Sequence, residues 1–352
     1  METSVDTMLA CSLMVILALS AMAGVLTVVH PYLQDQPSPY DTEMSRKLAE
    51  YLLLETGNPS NWGSQAGVSL VSFGLAKAGY AAPFDLDIDK VTRLNQENYY
   101  SISYLEAFAA VGAQGKPFRI SVRPVFNVSL SLASQVSEPT QAIYYFDVST
   151  KRSELPVAAS LRCYTVLGND VFNASASTSS SGVASLTVTL PNSLSGTALL
   201  VAIAKVEPNI MSYAVCAFKH NSAGAVQPQG TFADLSPLNH ALRAELLYAG
   251  MTVTSVKVFS YNYCFNLEKT GESSNIEYYG ITQLSDASPM VISVTGLNGS
   301  ASFVEWVAYP QVPLDFGSNF TGQYDVMDAF SFHFMVSINS AVYECEVTMG
   351  GT

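Results

Sequence analysis

The hydrophobic pattern of the chain opens with an unbroken apolar run. Residues 8–29 contain no charged side chain. A bilayer core is about 30 Å thick and takes roughly 20 helical residues to cross. Lipid offers the backbone no hydrogen-bond partners, so such a run must be helical. The pattern therefore predicts a single transmembrane helix, closed by His30-Pro31-Tyr32 at a depth where aromatic side chains are favoured. Ala21-Met22-Ala23 fits a signal-peptidase site, which would make the run a cleaved secretory signal. The length of the run, and the presence of Glu2 and Asp6 but no lysine or arginine ahead of it, favour a retained helix. On either reading the bulk of the chain lies outside the cytoplasm.

Helical periodicity returns over residues 41–55, where Met44, Leu48, Tyr51 and Leu52 fall at i, i+4, i+7 and i+8. Asp41 supplies a cap, Gly57 a stop, and Pro59 follows. Residues 87–95 predict a short helix with an aspartate cap. Ser103-Tyr104-Leu105-Glu106 is a capping box, opening a helix that Gly112 should end.

At Phe118 the period becomes two. Ile120, Val122, Phe126, Val128 and Leu130 alternate with polar residues as one half-buried strand, with Pro124 marking an edge or a bulge. Strands are predicted over 143–148, 158–166, 184–190, 199–206 and 213–218, with a hairpin turn at Gly168-Asn169-Asp170. Such spacing predicts a β-sandwich. Residues 221–237 read as a linker, and a second β region follows with strands over 303–309, 330–338 and 342–348. The expected division is a membrane helix (1–33), a small α/β region (34–136), an immunoglobulin-like sandwich (137–222) and a second β-rich domain (223–352).

Composition sharpens this picture. Only 13% of the 352 residues are charged, against about 25% in an average soluble chain, so uncharged polar groups cover the surface, as in secreted β-rich proteins. A formal net charge of −13 repels phosphate backbones and argues against nucleic acid as a partner. Four cysteines lie beyond the apolar run. They divide by region into Cys163 with Cys216 and Cys264 with Cys345, either as two disulfides in an oxidising exterior or as four buried free thiols.

The chemistry-bearing motifs point away from catalysis. Asp85, Asp87 and Asp89 have D-x-D-x-D spacing, but Lys90 and Gln96 stand where a calcium loop needs glycine and glutamate. A helix cap with acids in the first turn is the expected role. The four histidines are scattered, and no G-x-S-x-G elbow, P-loop or G-x-G-x-x-G is present. No enzyme activity, metal or cofactor is expected. Asn127, Asn173, Asn298 and Asn319 each open an N-x-S/T sequon and are candidate glycosylation sites. Trp306, Tyr261, Tyr263, Tyr278 and Tyr279 are candidates for a carbohydrate-binding face, with core packing as the expected use of the same residues.

Three stretches carry a resemblance. Thr3-Ser4-Val5-Asp6 leads straight into the apolar helix. Leu52-Leu53-Leu54-Glu55-Thr56-Gly57-Asn58-Pro59-Ser60-Asn61-Trp62-Gly63 is the most distinctive. Asp85-Leu86-Asp87-Ile88-Asp89-Lys90-Val91-Thr92-Arg93-Leu94 is followed by Val111-Gly112 and Phe118-Arg119-Ile120. Over about its first 135 residues the chain resembles an archaeal family of type IV pilin-like membrane proteins. It departs from that pattern in lacking a basic leader before the helix and in having a larger head. The resemblance implies a single-pass cell-membrane protein whose helix inserts in lipid through residues 8–29 or packs with copies of itself, with the β-rich bulk extracellular. That makes it a pilin-like subunit or surface-filament component. The alternatives are an anchored adhesin or a receptor for solutes or surface glycans and, third, a secreted hydrolase.

Overall fold

The computed structural model describes residues 13–22, 24–25, 39–65, 67, 69–79, 82–112, 116–222, 231–281, 289–320 and 329–350. Its fold is mainly β, built from several sheets. Three helices are set against them: α1 (Pro39–Leu54), α2 (Ile88–Thr92) and α3 (Tyr104–Val111). Asp87 caps α2 by accepting from the backbone N–H groups of Asp89 and Lys90. Ser103 caps α3 through the N–H of Glu106, and Gly112 ends that helix at φ 59°. On α1 the buried face is Ser45, Ala49, Leu52 and Leu53. Met44 and Tyr51, expected inside, are 41% and 39% exposed. Small residues let the helix approach its sheet closely, and that contact rotates the face by one position.

The helices cover sheet I, ordered β1 (Asp85–Leu86), β20 (Phe330–Ile338), β21 (Ala341–Met349), β2 (Phe118–Pro124) and β19 (Leu314–Gly317). Phe118, Ile120 and Val122 of β2 and Tyr343, Cys345 and Val347 of β21 share one core with Leu52, Leu53, Trp62 and Phe73. The Gly57–Gly63 loop is pinned into this core. Trp62 donates its indole N–H to the Gly74 carbonyl at 2.9 Å. Gly57 takes φ +74°, and a Cβ there would meet the Ser72 carbonyl oxygen at 2.7 Å. The buried Lys90 ammonium donates to the carbonyls of Thr56 and Ala76 at 2.9 and 2.7 Å.

The remaining strands stack as four layers. Sheet II has β3 (Asn127–Ser137) on one edge of β4 (Gln141–Arg152), with β5 (Leu155–Pro156) and β8 (Val183–Pro191) along the other. Sheet III runs β10 (Ile210–His220), β9 (Gly196–Glu207), β6 (Ser160–Leu167) and β7 (Asp170–Ser177). Sheet IV runs β14 (Cys264–Asn266), β13 (Met251–Phe259), β17 (Met290–Asn298) and β18 (Ala301–Tyr309). Sheet V runs β11 (Thr231–Ser236), β12 (Ala241–Leu246), β16 (Ile276–Gly280) and β15 (Glu268–Ser273). Separate apolar clusters seal II against III, III against IV, and IV against V.

Three sequence expectations change here. The strand read continuously from Phe118 breaks at Pro124, which has no N–H for a ladder, and its halves join different sheets. The linker read over 221–237 includes strand β11, while residues 223–230 lie outside the described residues. The cores do not follow the division into 34–136 and 223–352, because β19, β20 and β21 complete the sheet and core begun by residues 39–124.

The return of the C-terminal hairpin is testable. In a Trp306→Phe background Trp62 is the sole tryptophan of the chain. A chain ending at residue 328 should move its emission to that of a water-exposed indole. Unchanged emission would show that the N-terminal core closes without β20 and β21.

Candidate functional site

The four sequon asparagines are all exposed. Asn127 opens β3, Asn173 lies within β7, Asn298 ends β17 and Asn319 follows β19. The fold does not gather them into one site. Each can carry a bulky substituent without disturbing a core.

The cysteine pairing is corrected: Cys163, Cys216, Cys264 and Cys345 are free thiols. Cys163 aligns with Ala202 and Cys216 with Leu200, on opposite sides of β9. Two strand spacings of about 4.8 Å separate them, beyond the roughly 7 Å Cα limit of a disulfide. Cys345 is buried in the core of sheet I, and Cys264 is exposed on sheet IV. The four are not all buried, since Cys216 is half-buried. Burial pushes the Cys163 and Cys345 thiols up to about 12. Native alkylation should therefore label Cys264 first and spare Cys163 and Cys345, and denaturation without reductant should expose all four. Protection of any pair until a reductant is added would restore a disulfide.

Residues 13–22 and 24–25 are helical, within the apolar run of 8–29. Leu13, Met14, Val15, Ile16, Leu17, Leu19, Met22 and Val25 are 57–75% exposed. Ser20 turns its hydroxyl back to the carbonyls of Ile16 and Leu17 at 2.9 and 3.0 Å, so its polar group is satisfied within the helix. Among the described residues no helix is long and apolar enough to cross a membrane. The rest of the predicted span lies outside the described residues.

A second feature sits where three parts of the fold meet. A cleft of about 360 Å³ runs between the edge strands β11 and β18. Asn95 and Glu97 border it from the segment after α2, and Gln311 to Pro313 border it from the chain leaving β18. Asn98 binds these walls together, donating to the Leu235 carbonyl at 3.0 Å and to Gln311 Oε1 at 2.6 Å. Trp306 and Phe232 line the cleft at 42% and 43% exposure. Tyr213 meets Trp306 edge-on at 6.1 Å and 78°, and its hydroxyl donates to the Val312 carbonyl at 2.8 Å.

Of the aromatic candidates, Trp306 is the one on this cleft. Tyr279 is core, Tyr261 lies under the Lys205 ammonium at 5.0 Å, and Tyr263 packs beside Phe265. Phe232 and Tyr213 escaped the sequence reading. Phe232 stood inside the supposed linker, and Tyr213 inside an ordinary strand.

Buried ionic groups flank the cleft. Asp234 lies 3.5 Å from Arg243, whose guanidinium also covers the Tyr99 ring at 4.2 Å. Asp89 accepts from the Tyr309 hydroxyl at 2.9 Å and lies 3.7 Å from His240 Nδ1. Burial pushes the carboxyls of Asp89 and Asp234 up to about 6. The unfolded groups ionise near pH 3.9. Stability from these sites is therefore fully present below about pH 4 and lost as pH rises through about 6. Asp89→Asn should flatten the fall in melting temperature between pH 4 and 6.5, its share being on the order of 2–3 kcal/mol. Equal slopes in variant and parent would remove Asp89 from this account.

No protein-family model and no curated protein matches the sequence. Among solved structures, human GIVD cytosolic phospholipase A2 aligns at 11% identity with a TM-score of 0.13, covering 67% of this chain. The alignment spans a third (33%) of that protein. A likeness this slight carries no argument about fold or function.

Proposed function

We propose that this chain is a non-enzymatic cell-surface protein anchored in the membrane by the apolar run of residues 8–29, with its β layers outside the cell. The exposed apolar helix carries the reading. Eight large apolar side chains spread over residues 13–25 are more than half exposed. A helix that is apolar all round needs lipid, or other helices, as its surroundings. The satisfied Ser20 hydroxyl suits the same setting. Four exposed sequons on the β layers suit an extracellular surface that carries glycans.

Within this reading the chain is a type IV pilin-like subunit or surface-filament component, with the helix available to pack against copies of itself. The sandwich of sheets II and III serves as an immunoglobulin-like head module. The cleft favours a second reading, an anchored adhesin or receptor for a solute or glycan, because exposed Trp306 and Phe232 share one concavity.

Deletion of residues 1–33 tests the anchor. The full chain should stay with membranes through carbonate extraction, and the truncated chain should be recovered in the soluble fraction with an unchanged melting temperature. A truncated chain that still partitions with membranes would refute the anchor.

A further inference from the structure

We infer that the cleft between β11 and β18 is a binding site for a neutral saccharide of about two rings, with Trp306 as its stacking platform. The inference rests on the receptor reading of this cleft and names its ligand class.

The strand pattern makes the Trp306 exposure informative. Along β18, Val304 faces sheet III and is buried, as is Ala308, while Trp306 on the same side stays 42% exposed. Phe232 on β11 is 43% exposed across the same cleft. Two large aromatic side chains left wet in one concavity lose burial that a ligand can restore. The platform is also held in place. Tyr213 is half-buried beside it, edge-on to the indole, and is tied to the Val312 carbonyl. A pre-positioned ring loses little conformational freedom when a ligand stacks on it.

The polar lining selects the ligand. Glu97, Glu305 and Gln311 offer oxygen acceptors, and no lysine or arginine is among the described lining residues. An anionic ligand would be repelled. The Asp234 charge is already faced by Arg243. Thr231 is 4% exposed and lines the cleft with a hydroxyl that has no hydrogen-bond partner among the described residues. A buried hydroxyl without a partner is costly, and a sugar hydroxyl, directly or through a water, can supply one. A pyranose joins an apolar C–H face to hydroxyls at its rim, the combination this lining complements. The volume of about 360 Å³ lies at the small end of the range for small-molecule sites, roughly 300–1,000 Å³. An ammonium head group is bound best by rings closed around it, whereas Trp306 and Phe232 stand on different sheets across an open cleft.

Saturation-transfer NMR on the full-length chain in detergent micelles tests this, with maltose, cellobiose, mannobiose and N,N′-diacetylchitobiose as probes and choline as the cationic contrast. At least one neutral disaccharide should receive saturation. Trp306→Ala should weaken it at least tenfold, and Glu97→Gln, at an exposed position, should weaken it about threefold with the melting temperature unchanged. Choline binding without sugar binding would overturn the saccharide assignment while leaving a receptor cleft. Binding of none of the probes would overturn both. Cleavage of a bound disaccharide would overturn the non-catalytic role. Sugar binding unaffected by both substitutions would place the site elsewhere and overturn the proposal.

Discussion

Burial of sheet III on both faces is the constraint on which the rest of the molecule depends. Side chains alternate along a strand, so a strand covered on both sides must be apolar at every position. Along β9, Ala198, Leu200 and Ala202 enter the core shared with sheet II. Leu199, Val201 and Ile203 face Phe259, Val291 and Val304 of sheet IV. The face toward sheet II sets Leu200 between two alanines, while the face toward sheet IV carries only branched side chains. Polar ties then fix how the two sandwiches sit. Tyr164 donates to the Ser260 carbonyl at 3.0 Å, Thr295 to the Gly168 carbonyl at 3.0 Å, and the Thr197 N–H to Ser302 Oγ at 2.9 Å. The cleft follows from this stacking, because it brings β18 against β9 and sets Trp306 against Tyr213.

The second constraint is closure of the chain on itself. The C-terminal strands complete the sheet opened by β2, and they also touch the first sandwich. The Val342 N–H donates to the Asn209 carbonyl at 2.8 Å. Arg152 pairs with Glu344 at 2.9 Å, but both groups are exposed and such a pair is worth little. Backbone and core contacts therefore do most of the holding. With Asn98 joined to Leu235 and Gln311, the cleft draws its walls from three parts of the fold that are far apart in sequence.

These constraints separate the apolar helix from the cleft. The apolar helix precedes the layered body in the chain, and its exposure is a local property of its residues. The cleft exists only because distant strands converge. A change in the packing of sheet III should therefore disturb the cleft and leave the helix as it is.

By itself the sequence determined the local elements. Asp87, Ser103 and Gly112 mark helix ends through hydrogen bonds and a backbone angle that involve near neighbours only. Period-two alternation and short apolar runs located about half of the strands, and the apolar run includes the helical residues 13–22 and 24–25, whose large side chains are exposed among the described residues. The unbroken apolar stretch Ala198–Ala204 also held the signal for a doubly buried strand, though alternation alone does not name the covering sheets. Tertiary structure decided what pairs with what. It sent β20 and β21 back to β2, set Cys163 and Cys216 on either side of β9, buried Tyr279 and left Trp306 exposed. The physical reason is range. Capping and periodicity are set within a few residues, whereas strand partners are chosen by burying apolar faces across loops of any length, since each doubling of a loop costs only about 0.6 kcal/mol.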